Sequence, residues 1–249
     1  MDKLSKITTN GKAIYLAYDH GLEHGPIDLK GKSLDPKYIL DLAVQGGYNA
    51  IVLQKGVAEK YYYPSYQEKI PLIVKLNGKT RLVGGEPISS QVCSVAEAVE
   101  LGAAAVGYTI YLGSQHEAKM LKEFGRIEEE ADRHNLVVIG WIYPRGKGVK
   151  DDDSPEITAY AARVGLELGA DMVKIKYCGS KECFAQAVQA AGKTKVVLSG
   201  GPKVSDEEFL EVVRNIMAAG AIGLAVGRNV WQREDPLEIT QKIKEIVFK

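Results

Sequence analysis

Short apolar runs alternate along this chain with longer stretches whose apolar positions recur every three and four residues. The runs at 13–19 (AIYLAYD), 50–55, 70–76, 104–110, 136–143, 171–177, 195–199 and 222–226 read as strands. The stretches at 36–46, 94–101, 115–133, 155–168, 205–218 and 236–248 read as amphipathic helices. Boundary residues agree. Ser94 with Glu97 and Ser205 with Glu208 have capping-box spacing, and Pro155 stands early in its helix. Three helices end in a shared phrase, Glu-Leu-Gly-Ala at 100–103 and 167–170 and Ala-Ala-Gly-Ala at 218–221. Glycine just past a helix end, with a strand following, is the connection of a repeated unit.

Strand and helix alternate with no long polar linker between them. This predicts an α/β chain with one closed (β/α)8 TIM barrel, 1–249 forming a single catalytic domain. The second unit is the weakest. There Tyr61-Tyr62-Tyr63-Pro64-Ser65-Tyr66 replaces a clean helix, and it reads either as an irregular amphipathic segment or as a subunit contact.

Composition narrows the classes. Lysine and arginine balance aspartate and glutamate at a net charge of zero, so nothing marks a nucleic-acid or anionic-membrane partner. No apolar stretch is long enough to span a bilayer, and the N-terminus lacks the apolar core of a signal peptide. A cytoplasmic location is expected. Cys93, Cys178 and Cys183 are odd in number and lack metal-site spacing, so reduced thiols are expected.

The candidate chemistry starts at Lys174 and Lys176, two apart in Ala-Asp-Met-Val-Lys-Ile-Lys-Tyr (170–177). Alternation along a strand puts both amines on one face. Crowded, buried amines disfavour each other's charge, and a neutral lysine attacks a carbonyl to form a Schiff base. Barrel active sites lie at the C-terminal strand ends. By the same alternation Asp19, Tyr143 and Lys174 point into one cavity, giving a carboxylate, a phenol and an amine. The plainer alternatives are an Asp19 salt bridge to Lys174 and an ordinary core tyrosine. Ser199-Gly200-Gly201 and Gly227-Arg228-Asn229 end adjacent strands and suit a phosphate, since glycine lets backbone N–H groups approach an anion. Arg145 and Lys203 are further anion candidates, or solvated loop cations. Asp19, His20, Glu23 and His24 have the look of a metal cluster. No other strand end offers a histidine, so no metal or cofactor is expected, and the histidines are read as partners of the loop or of a phosphate.

Read together, Ala-Tyr-Asp-His-Gly-Leu-Glu-His-Gly-Pro (17–26), Lys-Leu-Asn-Gly-Lys-Thr (75–80), Ala-Val-Gly-Tyr-Thr-Ile-Tyr (105–111), Tyr-Pro-Arg-Gly (143–146), Lys-Ile-Lys-Tyr (174–177), Leu-Ser-Gly-Gly-Pro-Lys (198–203) and Ala-Val-Gly-Arg-Asn-Val-Trp-Gln-Arg (225–233) resemble the archaeal-type class I fructose-1,6-bisphosphate aldolase family. The resemblance runs in order through nearly the whole chain. It implies a Schiff-base lysine at Lys174, a tyrosine acid/base at Tyr143 and a carboxylate at Asp19. It implies Trp141 against the sugar, and Ser199, Gly200, Gly201, Gly227 and Arg228 around one phosphate. Arg145 and His24 are the candidates for the second phosphate, with Lys176 nearby. It also implies a homo-oligomeric ring, commonly a decamer of two pentamers. Residues 60–70 are longer than the family pattern and the C-terminus is short, which bears on assembly more than on chemistry.

A sister activity shares most of these motifs. It is the transaldol synthesis of 2-amino-3,7-dideoxy-D-threo-hept-6-ulosonate, and Trp141 argues against it. A metal-dependent aldolase, a non-covalent isomerase and a non-catalytic phosphosugar-binding barrel are the remaining rivals.

Overall fold

Eight parallel strands close on themselves in the computed structural model, which describes residues 2–249. They are β1 (Ala13–Ala17), β2 (Ala50–Gln54), β3 (Leu72–Lys75), β4 (Ala105–Leu112), β5 (Val137–Pro144), β6 (Met172–Ile175), β7 (Lys195–Ser199) and β8 (Gly223–Val226). Each pairs with its neighbours in chain order, and β1 against β8, with Ala13 opposite Gly223, completes the barrel. The helices α1 (Pro36–Gln45), α2 (Val95–Glu100), α3 (Glu117–Arg133), α4 (Pro155–Glu167), α5 (Lys181–Ala190), α6 (Asp206–Ala218) and α7 (Pro236–Val247) lie between and after the strands.

The period of two sorts the strand side chains into two apolar layers. Ala13, Tyr15, Val52, Ile73, Ile139, Trp141, Met172 and Val197 fill the barrel, and Ile7 joins them from the segment before β1. Ile14, Leu16, Leu53, Leu72, Val74, Ile142 and Val173 face outward under the helices. The inner layer includes every face member expected for the first and fifth strands up to Ala17 and Trp141.

The connections follow the residues. Gly102, Gly169 and Gly220 adopt positive φ, which a side chain disfavours, and the next amide bonds back to the helix (Ala103 to Ala98, Ala170 to Gly165, Ala221 to Ile216). Ser94 and Glu97 form the reciprocal capping box, whereas Ser205 caps the Glu208 amide with its own side chain only. Helix α5 escapes the periodicity because its buried face is small, with Cys183 and Ala187 beside Phe184. After β2 the chain makes a helical turn (Lys55–Val57) and a π-helical turn (Ala58–Tyr62). The tyrosine run there is split. Tyr62 and Tyr66 are buried, their hydroxyls donating to Ile70 O at 2.8 Å and Asp41 Oδ1 at 2.6 Å, while Tyr61 and Tyr63 are exposed.

One expectation is overturned. Cys178 and Cys183 form a disulfide, and only Cys93 is a free thiol, buried. Gly179 at φ +93° turns the chain, and Ser180 caps α5 by accepting from the Cys183 amide. That turn brings the two Cα atoms to 6.1 Å, within disulfide reach, which spacing in sequence does not reveal.

Candidate active site

A cavity of about 500 Å³ opens at the C-terminal ends of the strands. Lys174 rises into it from β6, paired in register with Trp141 of β5 and Val197 of β7. The lysine is 6% exposed, and its Nζ lies 5.1 Å from the centre of the Trp141 indole. Among the described residues it has no ion-pair partner. Burial pushes its pKa below the ordinary lysine value of 10.5. The Asp19 and Glu23 carboxylates oppose that shift without cancelling it, and Arg228 adds to it.

Tyr143 stands near the end of β5, its hydroxyl 3.1 Å from Ser199 Oγ at the end of β7. Burial drives the phenol pKa upward, more than the Ser199 hydrogen bond lowers it, so the group is protonated at neutral pH. Asp19 follows β1, which ends at Ala17, and precedes the short helix His20–His24. Burial alone would raise its pKa, but the charges of Lys174, His20 and Lys75 hold it below 3.8. The three groups expected to converge do line one cavity.

Lys176 is placed differently. Strand β6 stops at Ile175, so Lys176 stands at the cavity rim, where it pairs with Asp152 and with Asp153 at 3.4 Å. The second interior amine is Lys75 of β3, 1% exposed, 3.9 Å from Asp19 Oδ2 and 3.8 Å from Glu23 Oε1. Lys75 shares inward parity with Ile73, a signal present in the sequence and overshadowed by the paired lysines on the sixth strand.

The two glycine turns meet at one side of the cavity. Asn229, fully buried, donates to the carbonyls of Gly200 and Pro202, both at 2.7 Å, and accepts from Val204 N at 3.0 Å. It ties the end of β7 to the end of β8, a role that its place in the Gly227-Arg228-Asn229 motif did not reveal. The Gly200 amide is occupied by Ala225 O at 3.0 Å, so Gly200 contributes space and not an N–H. At Gly227 a Cβ would come within 2.6 Å of His20 Cε1 and 2.8 Å of Ala17 O. Arg228 reaches Asp28 Oδ2 at 3.3 Å, and His24 Nδ1 lies 2.8 Å from the same oxygen. Arg145 is exposed at the rim, its guanidinium 5.5 Å from the centre of the Tyr111 ring. Lys203 turns away and donates to Gln232 O at 2.9 Å.

Four buried polar atoms of cavity-lining residues find no hydrogen-bond partner among the described residues: Thr109 Oγ1, Trp141 Nε1, His20 Nδ1 and Arg228 Nε. Buried donors and acceptors are nearly always satisfied, so these mark where polar ligand atoms fit. Thr109 lies opposite Trp141 in register and was not singled out from the sequence. The Trp141 ring occupies the space over Gly107, two residues before Thr109 on β4, where a Cβ would fall 1.5 Å from Trp141 Cζ3. Asp19, His20, Glu23 and His24 do not gather as a metal site. Among the described residues no three His, Cys, Asp or Glu side chains are so grouped. His20 instead packs edge-on to Trp231 and His24.

Residues 13–233 match the model of the DeoC/LacD family aldolases. A curated relative, the class 1 fructose-bisphosphate aldolase of Thermoproteus tenax, is 54% identical over 241 residues, covering 96% of this chain and 90% of the relative. That of Halobacterium salinarum is 49% identical over 247 residues, covering 98% and 94%. Among solved structures, an archaeal fructose-1,6-bisphosphate aldolase with its catalytic lysine covalently bound to the carbinolamine intermediate superposes with a TM-score of 0.95 at 51% identity, covering 99% of this chain and 98% of that one. A tetrameric deoxyribose phosphate aldolase from Aeropyrum pernix shares the fold alone, at a TM-score of 0.60 and 16% identity. Matched along most of its length and by close relatives, the chain belongs to the DeoC/LacD family of aldolases.

Proposed function

We propose that the chain is a Schiff-base, class I fructose-1,6-bisphosphate aldolase. It reversibly cleaves the open-chain bisphosphate to dihydroxyacetone phosphate and glyceraldehyde 3-phosphate, in glycolysis and gluconeogenesis. The observation that carries this reading is Lys174, a buried amine with no ion-pair partner among the described residues, facing a phenol, a carboxylate and two glycine turns.

The steps follow from the geometry. Neutral Lys174 adds to the C2 ketone, and Asp19 assists transfer of a proton from the resulting ammonium to the alkoxide, giving the carbinolamine hydroxyl. The protonated Tyr143 phenol gives its proton to that hydroxyl, which leaves as water. An iminium cation and a tyrosinate result, each lowering the cost of the other. The tyrosinate takes the C4 hydroxyl proton, the C3–C4 bond breaks, and its electrons enter the iminium to form an enamine. Glyceraldehyde 3-phosphate departs. Tyr143 returns the proton to C3, and water releases the second product. Ser199, Gly201, Gly227 and Arg228 take one phosphate, with Gly200 leaving room for it. Arg145, His24 and Lys176 at the rim take the other, and Trp141 and Thr109 meet the sugar hydroxyls. No step calls for a cofactor.

We assign all of 1–249 to this one catalytic unit, expect it in the cytoplasm, and expect it to assemble with copies of itself as a ring. Among the described residues no helix is long and apolar enough to cross a membrane. The family resemblance supports the assembly, and exposed Tyr61 and Tyr63 supply aromatic surface of the kind enriched at interfaces. Borohydride reduction in the presence of dihydroxyacetone phosphate tests the chemistry. A mass gain on the Lys174 peptide, with loss of bisphosphate cleavage, is expected. Cleavage that proceeds with no adduct on Lys174 overturns the reading.

A further inference from the structure

We infer that Lys75 is a positioning residue that keeps Lys174 uncharged by engaging the carboxylates of Asp19 and Glu23. The inference rests on the aldolase reading above.

The interior of the cavity holds two carboxylates, Asp19 and Glu23, and two amines, Lys75 and Lys174, while Asp153, Glu208 and Lys176 line its rim. Glu23 accepts from the Tyr111 hydroxyl at 3.3 Å and lies 3.8 Å from Lys75, while Asp19 lies 3.9 Å from Lys75 and 3.8 Å from His20 Nδ1. His20 is neutral at ordinary pH, since burial pulls its pKa down to about 4. Lys75 is then the one cation within ion-pair distance of both carboxylates among the described residues. Lys75 and Lys174 face one indole, their Nζ atoms 5.6 and 5.1 Å from its centre. With Lys75 absent, Lys174 is the remaining interior amine near two anions, and anions draw an amine into its charged form. The other groups facing Lys174 do not replace Lys75. Tyr143 from β5 is protonated, Ser199 from β7 is uncharged, Arg228 is paired with Asp28, and Lys176 is paired with Asp152 and Asp153. A buried lysine that enters no chemical step thus balances the charge that Asp19 needs and Lys174 must not answer.

The test is the pH dependence of imine formation, read as borohydride trapping with dihydroxyacetone phosphate, alongside kcat/KM for cleavage. In Lys75→Met the alkaline rise of both should move upward by about 1–3 pH units. Trapping at neutral pH should fall about tenfold or more and recover at alkaline pH. Lys75→Arg should retain the wild-type midpoint. The double variant Lys75→Met/Glu23→Gln, which removes one charge of each sign, should bring the midpoint back toward wild type. A Lys75→Met protein with an unmoved midpoint, or with trapping lost equally at every pH, overturns the inference. Where Lys75→Met does not fold, the double variant decides. A wild-type midpoint there supports the charge balance, and an upward displacement refutes it. The two readings fail differently. A wild-type protein that traps no adduct on Lys174 refutes the aldolase reading, whereas failure of the Lys75 inference leaves wild-type trapping intact.

Discussion

The hydroxyls of Tyr143 and Ser199 meet at 3.1 Å across the strand that lies between theirs, and that strand carries Lys174. The contact joins β5 to β7 over β6, fixing the phenol in the cavity that the amine also lines. Tyr143→Phe should lower cleavage by about 10²–10⁴-fold, the usual worth of a general acid–base group, while leaving part of the imine trapping intact. Ser199→Ala removes one neutral hydrogen bond and should cost about three- to tenfold. Single-turnover cleavage and trapping, measured together, separate the two. Equal loss of both in Tyr143→Phe would deny the phenol its separate role.

Lys174 carries a stability consequence of opposite sign to its catalytic one. Its folded pKa is depressed, so between that value and 10.5 the unfolded chain binds more protons. The site therefore opposes folding at neutral pH and is relieved as pH rises toward 10.5. Lys174→Met should raise Tm at neutral pH by a few degrees, at about 2–4 °C per kcal/mol, and the gain should shrink in alkaline buffer. Melting curves across pH provide the check, and a variant less stable than wild type at neutral pH would contradict it.

His20 behaves alike in a lower window. Burial, opposed by Asp19 and reinforced by Lys174, takes its pKa from 6.5 to about 4. As pH falls through that interval the unfolded state gains a proton and the folded state does not. Stability should drop by up to about 3 kcal/mol from this group alone. His20→Gln should flatten the decline of urea midpoints between these values.

Gly107→Ala places a methyl group where the Trp141 ring lies, 1.5 Å from Cζ3. Overpacking of this kind costs about 1–3 kcal/mol. Because the indole faces both interior amines, cleavage should fall together with Tm. Calorimetry with a cleavage assay would show it, and unchanged activity would mean that the ring's position is not needed.

The Cys178–Cys183 disulfide closes a short loop directly after the lysine strand, with the partners five residues apart in sequence. Loop-closure entropy for so small a ring is worth about 2 kcal/mol. Reductant should lower Tm by a few degrees and raise the count of alkylatable thiols from one to three under denaturing conditions. Three thiols in the unreduced protein would show that the pair is open.

Alternation of side chains was enough to place the strands, the inward faces of Tyr15, Trp141 and Met172, and the meeting of Asp19, Tyr143 and Lys174, because a period of two is a local property of extended backbone. The glycine-ended helices were equally legible, since positive φ is demanded within a few residues. Other features were not local. Strand β6 ends at Ile175, and that limit sends Lys176 to the rim and leaves Lys75, about a hundred positions earlier, as the second interior amine. The cysteine pair depended on how tightly the chain turns at Gly179, and the role of Asn229 on two turns brought together by strand order. Barrel closure, which sets the distance between residues remote in sequence, decided these, and no pattern read along the chain contains that distance.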